Sequence, residues 1–230
     1  MGPGSPQALK ITVDGAGTTV SALLQLPPEA RALYVFAHGA GAGMTHTFMA
    51  AFANGLADRS IATLRFQFPS MEKGARRPDP PAIAHAAVRA AVAAAADAAP
   101  GLPLFAGGKS FGGRMTSQAQ AAAALPNVRG LVFVGFPLHP AGKPADERAQ
   151  HLQQVALPML FLQGTRDELA DLGLLRPVIQ QLGERATLEL FDEADHAFHV
   201  PARTGRRDAD VRNDMLDATA RWIDRVLSKH

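Results

Sequence analysis

The residues whose types and spacing could do chemistry together are Ser110, Asp167 and His196. A hydroxyl becomes a strong nucleophile beside a base, and an imidazole serves as that base when a carboxylate fixes its tautomer. Ser110 stands in Gly107-Gly108-Lys109-Ser110-Phe111-Gly112-Gly113, behind the apolar run Leu102-Pro103-Leu104-Phe105-Ala106 and ahead of a helix-compatible stretch from Arg114. A serine at a sharp strand-to-helix turn is forced toward positive φ, so the residues two before and two after it must lack a Cβ. Gly108 and Gly112 meet that need, which makes the stretch a candidate nucleophile elbow. The N–H groups that open the next helix then lie beside the hydroxyl, where the helix N-terminus favours a developing oxyanion.

The same residues spell the end of a phosphate-binding loop, Gly108-Lys109-Ser110. That loop also needs a glycine where this chain has Pro103, and flexible residues where this chain reads as a strand. The elbow reading is therefore preferred.

Three further stretches follow apolar runs directly. His38-Gly39-Ala40-Gly41-Ala42-Gly43 is small enough for main chain to approach a substrate, and an N–H near Ala40 is expected to join that of Phe111 as an oxyanion donor. A dinucleotide loop would need a small residue at Met44. In Gln163-Gly164-Thr165-Arg166-Asp167-Glu168, Asp167 is the expected carboxylate, with Glu168 and Asp171 as alternatives that would otherwise cap the next helix. In Asp192-Glu193-Ala194-Asp195-His196-Ala197-Phe198-His199, His196 is the first candidate base and His199 the second. Gly39, Gly41, Leu138, His139 and Phe198 also follow strand ends and are expected to line a substrate site. Arg65 and Arg114 are charges beside buried-looking segments, read as structural partners of a nearby acid rather than as anchors for an anionic substrate.

These residues need a scaffold that delivers them to one edge. Leu9–Val13 and Thr18–Leu26 flank the turn Asp14-Gly15-Ala16-Gly17 and read as an antiparallel hairpin. From Leu33 the pattern alternates. Strands are expected at 33–37, 61–68, 102–106, 131–134, 159–162 and 186–191. Helices are expected at 47–59, 81–99, 114–124, 146–154, 172–182 and 208–227. This is an α/β chain with a mostly parallel sheet of roughly eight strands and helices on both faces. In such a sheet ligands gather beyond the carboxyl ends of the strands, where all four stretches fall. Residues 1–7 are expected to be a disordered lead-in and residues 8–230 a single domain.

Composition narrows the function classes. The 230 residues carry a formal net charge of +2 and no long basic block, so nothing suggests nucleic acid. There is no cysteine, which excludes a thiol nucleophile, a disulfide framework and cysteine-ligated metal. The most apolar stretch, Ile83–Ala99, is mostly alanine and is interrupted by His85, Arg89 and Asp97, so it reads as a soluble helix. A protein in the cytoplasm, monomeric or homodimeric, with no metal and no cofactor is expected.

The elbow, the His38–Gly43 loop, Gly164-Thr165-Arg166-Asp167 and Ala194-Asp195-His196 together resemble the dienelactone-hydrolase-like branch of the α/β-hydrolase superfamily. More narrowly, they resemble small bacterial predicted hydrolases related to the testis-expressed hydrolase-like proteins. The chain order Ser110, Asp167, His196 is the one that superfamily uses. The resemblance implies Ser110 as nucleophile, Asp167 as acid and His196 as base. It departs from dienelactone hydrolase itself in having serine where that enzyme has cysteine. It implies a serine hydrolase of small carboxylic esters working through an acyl-enzyme. Only His139–Pro158 stands where many lipases insert a lid, so little or no lid and a preference for short acyl chains are expected. A thioesterase or peptidase would use the same residues. A catalytically idle scaffold serving as an interaction module is the alternative from another class.

Overall fold

A computed structural model of the chain describes residues 4–229. The strands are β1 (Gln7–Thr12), β2 (Thr19–Gln25), β3 (Ala32–Ala37), β4 (Ile61–Phe66), β5 (Leu104–Lys109), β6 (Val128–Val134), β7 (Met159–Gly164) and β8 (Ala186–Phe191). The α-helices are α1 (Thr47–Ala57), α2 (Pro69–Glu72), α3 (Pro81–Ala98), α4 (Phe111–Ala122), α5 (Leu172–Leu182) and α6 (Asp208–Leu227). All eight strands form one sheet in the order β1-β2-β4-β3-β5-β6-β7-β8. The hairpin β1–β2 adds to the edge of β4 antiparallel, and every pair from β4 to β8 is parallel.

The sequence accounts for this division. β3 and β4 are apolar or uncharged at nearly every position and buried along their whole length, as parallel strands covered on both faces must be. One face of the sheet packs against α3, α4 and α5 and the other against α1 and α6. The β3–β4 crossover runs over one face through α1, and the later crossovers run over the other through α3, α4 and α5. Because these strands are parallel, the loops leaving β3, β5, β7 and β8 converge at one edge.

Several boundaries differ from the sequence reading. Residues 1–3 of the expected lead-in lie outside the described residues, and Gln7 already pairs with Leu24 in β1. β5 continues through Gly107, Gly108 and Lys109, because parallel pairing with β3 and β6 holds glycines that would not favour a strand alone. Accordingly α4 starts at Phe111, not Arg114. The segment Glu147–Gln154 is a 3-10 helix. The short α2 was not expected, although Pro69 at its first position is a regular helix opener. No helix among the described residues is long and apolar enough to cross a membrane.

Candidate active site

The turn after β5 is as strained as its sequence suggests. Ser110 has φ 50° and ψ −115°, its N–H donates to the Val134 carbonyl at 3.0 Å, and its own carbonyl accepts from Arg114 N–H at 3.1 Å. The glycines are required for a reason beyond the serine itself. A Cβ on Gly108 would stand 2.4 Å from the Ala37 carbonyl oxygen, and one on Gly112 would stand 2.6 Å from both the Ala37 and His38 oxygens. The elbow is thus pressed against the end of β3, which brings the His38–Gly43 loop next to Ser110. Gly107 is equally constrained, since a Cβ there would meet the Val132 oxygen at 1.9 Å.

The loops after β7 and β8 bring the other two candidates to the same place. His196 Nε2 lies 2.9 Å from Ser110 Oγ, and its Nδ1 lies 2.7 Å from Asp167 Oδ2. Asp167 is buried, and its carboxylate is itself held in place. Oδ1 accepts from Leu169 N–H at 2.8 Å, and Oδ2 also accepts from the Gln163 side-chain amide. Gln163 in turn accepts from Phe136 N–H at 3.0 Å. With the carboxylate accepting at Nδ1, the imidazole presents Nε2 to the serine as an acceptor. Asp171 instead caps α5, accepting from Gly173 N–H at 2.7 Å, and Glu168 is exposed. His199 pairs with Asp208 at 2.9 Å on the surface, so His196 is the histidine that meets the serine.

Among the described residues, neither the Ala40 nor the Phe111 N–H has an acceptor within the protein. The Phe111 N–H also belongs to the first turn of α4, where four N–H groups lack intrahelical partners. The loop bearing Ala40 is anchored by His38, whose Nε2 accepts from Phe68 N–H at 3.0 Å while Nδ1 faces the Gly39 carbonyl at 2.7 Å. Burial pushes the His38 pKa down, so the ring stays neutral and can keep accepting. The loop is also held by Arg65, whose guanidinium donates to the Met44 carbonyl at 3.0 Å. Arg65 meets no acid among the described residues, contrary to the expectation of an acid partner. Arg114 meets none either and lies over the Phe111 ring at 5.9 Å.

A cleft of about 380 Å³ opens above Ser110 and His196. Gly39, Ala40 and Gly41 line it as expected. The remaining wall comes from residues the sequence did not single out, namely Phe48 and Met49 of α1, Lys109, Leu169 and Ala197, with Ala42 and His46 beside them. A stretch that follows a Gly-rich loop and opens a helix was the available signal for Phe48. Three expected lining residues are elsewhere. Leu138 is fully buried in the core. His139 turns inward to tie two loops, its Nε2 accepting from Asp171 N–H at 3.0 Å and its Nδ1 facing the Pro140 carbonyl at 2.9 Å. Phe198 is buried behind the cleft, with φ 65°, between the Phe48 and Phe191 rings. A second cavity of similar volume lies at the opposite edge of the sheet near Pro100, Asn127 and Arg129 and holds no nucleophile beside a base.

No group of three or more His, Asp or Glu side chains among the described residues is placed to hold a metal ion. The arrangement can therefore be described by its own groups. A hydroxyl, a base oriented by a buried carboxylate, and two free N–H groups surround one small apolar opening.

The fold has counterparts in known proteins. A family model described as "Alpha/beta hydrolase domain" matches residues 30–224. Among solved structures, the chain is similar to dienelactone hydrolase from Anabaena variabilis, at 19% identity and a TM-score of 0.73, over 96% of this chain and 99% of that one. It is similar to an α/β serine hydrolase without lid from Xanthomonas campestris, at 22% identity and a TM-score of 0.71, over 96% of both chains. An esterase domain of a Rhodothermus marinus protein matches at 17% identity and a TM-score of 0.73, over 96% of this chain and 99% of that domain.

Proposed function

This chain belongs to the α/β-hydrolase family, and from that premise we propose that it is a serine hydrolase of small carboxylic esters. The observation that carries the reading is the line Ser110 Oγ, His196 Nε2, His196 Nδ1, Asp167 Oδ2, with gaps of 2.9 and 2.7 Å, opening on a cleft beside two unengaged N–H groups. Ser110 attacks the ester carbonyl as His196 takes its proton. The carbonyl oxygen becomes an oxyanion held by the Ala40 and Phe111 N–H groups, and the alcohol leaves with the proton from His196. Water then attacks the acyl-enzyme, giving its proton to His196, and the acid departs as Ser110 recovers its hydrogen.

Cleft size supports short acyl chains. About 380 Å³ is near the low end of small-molecule sites, and Phe48, Met49 and Leu169 close it laterally. The connection between β6 and β7 supplies no lid over it. Its 3-10 helix packs against α4, where His151 meets Ser117.

A series of p-nitrophenyl esters from acetate to decanoate, run on the wild type and Ser110→Ala with fluorophosphonate labelling of both, tests this. Hydrolysis falls steeply with chain length, and both hydrolysis and labelling vanish in Ser110→Ala. A folded wild type that neither hydrolyses nor labels would leave the idle scaffold as the better reading.

A further inference from the structure

We propose that Lys109 is a positioning residue of this site, its ammonium tying the loop that carries His196 to the elbow that carries Ser110. The inference rests on the serine-hydrolase reading above. Lys109 is the last residue of β5 and the immediate neighbour of Ser110. Its Nζ donates to the backbone carbonyl of His196. The ammonium also lies 5.2 Å from the centre of the Phe198 ring and 5.9 Å from that of Phe48, so two aromatic faces from different elements hold it. Such contacts strengthen when the cation is desolvated. Among the described residues, no carboxylate forms an ion pair with this half-buried lysine. Its fixed partners are instead the base's own backbone and the rings that flank it.

Gly135 supplies a second, separate observation. It follows β6 at φ 68°, and a Cβ there would stand 3.0 Å from Lys109 Nζ and 3.5 Å from His196 Nδ1 and Cε1. The bare Cα of one glycine therefore makes room for the ammonium and the imidazole side by side. Any motion of the ammonium is felt at His196 through the carbonyl bond and this shared space.

The charge state of the lysine then matters to the base. Burial pulls the Lys109 pKa down to about 8, against the opposing pull of Asp167 and Asp195. The titratable groups around it are Asp167 after β7 and Asp195 and His196 after β8. α1 offers the Phe48 ring, with His46 on the same cleft wall, and the end of β6 offers only Gly135. Below its pKa the ammonium makes a charge-assisted bond and two ring contacts. Above it, the neutral amine keeps neither charge nor ring attraction, and the His196 loop loosens.

The test is a pH series of kcat and KM on p-nitrophenyl acetate, from about pH 6 to 10, for the wild type, Lys109→Met and Lys109→Arg, with fluorophosphonate labelling of each. Lys109→Met keeps the stem and removes the donor. Its kcat falls about tenfold to a hundredfold while KM stays within about twofold, because the effect reaches the reaction through His196 and not through substrate binding. The wild type loses kcat on an alkaline limb near pH 8 that Lys109→Met lacks and Lys109→Arg moves upward, since a guanidinium stays charged. A labelled Lys109→Met with wild-type kcat and the same alkaline limb overturns the proposal, even if its melting temperature drops. If Lys109→Met does not fold, an unmoved limb in Lys109→Arg overturns it equally. A folded wild type whose Ser110 is not labelled overturns the serine-hydrolase reading and the lysine's role with it.

Discussion

Two serine–histidine pairs stand at hydrogen-bonding distance among the described residues, and we propose that only one of them does chemistry. Ser110 Oγ lies 2.9 Å from His196 Nε2, whereas Ser117 Oγ lies 2.7 Å from His151 Nε2, about two helical turns further along α4. By distance alone the second pair is the better one. Its surroundings say otherwise. Ser117 is inside a helix and donates back to the Arg114 carbonyl at 2.9 Å, the ordinary use of a mid-helix hydroxyl. Among the described residues, no carboxylate pairs with its histidine. Burial first, and then the Arg114 and His85 charges, push the His151 pKa down to about 4, so the ring is a poor proton acceptor at neutral pH. Ser110 instead sits on strained backbone at φ 50°, beside free N–H groups and a cleft, with Asp167 fixing the tautomer of its histidine. A serine near a histidine is thus not enough, and the orienting acid, the strained turn and the opening are what single out Ser110 as the proposed nucleophile.

The sharpest way to break this contrast is to exchange the same side chain in both pairs. His196→Gln lowers kcat/KM on p-nitrophenyl acetate by at least about 10⁴-fold, because base and leaving-group acid are lost together. His151→Gln leaves it within about twofold, since glutamine can still donate to the Ser117 hydroxyl and the reaction does not use it. Equal losses in the two variants would sink the assignment of His196 as the base.

Asp167→Asn comes next in size. An amide in place of Oδ2 donates where the carboxylate accepted, so the imidazole turns to the tautomer whose Nε2 carries a proton toward Ser110. We expect kcat to fall about 10³- to 10⁴-fold with KM little changed. A loss below tenfold would mean that Gln163 and the loop, rather than the charge, hold His196 in place. The difference between the pairs would then shrink to backbone strain and cleft alone.

The elements that make this difference were unequally legible in the sequence. Ser110, Asp167 and His196 stood out because strand ends in an alternating chain all point to one edge, and because Gly108 and Gly112 mark a turn where backbones touch. The sequence supplied the glycines, but the carbonyls of Ala37 and His38 that require them belong to the end of β3 and the loop after it, far away in the chain. Lys109, Gln163 and Phe48 went unread for the same reason, since each acts through partners that only the folded sheet brings near. His139 shows the opposite error. It follows a strand end as the rule asks, yet its ring is spent on accepting from Asp171 N–H, which a position rule cannot foresee. Local steric demands were readable, whereas the direction a loop side chain takes was not.

The smallest expected effect concerns stability, and it isolates what the second pair does instead of chemistry. In the folded chain His151 gains a proton only near pH 4, whereas in the unfolded chain it does so near the ordinary histidine value of about 6.5. Between those values the unfolded state binds more protons, so folding stability rises with pH there. The contribution is complete above about pH 6.5 and is lost as pH falls through about 4. The buried His38 and the half-buried His85 shift in the same direction, so His151→Gln should flatten part of the acid slope and not all of it. We expect the wild-type melting temperature to drop more than that of His151→Gln between about pH 6.5 and 4, by a few degrees, roughly the size of a kcal/mol change in a domain of this length. Identical slopes would show that His151 exchanges protons freely in the folded state. Its contact with Ser117 would then be open to water, and the second pair would be less unlike the first than its burial implies.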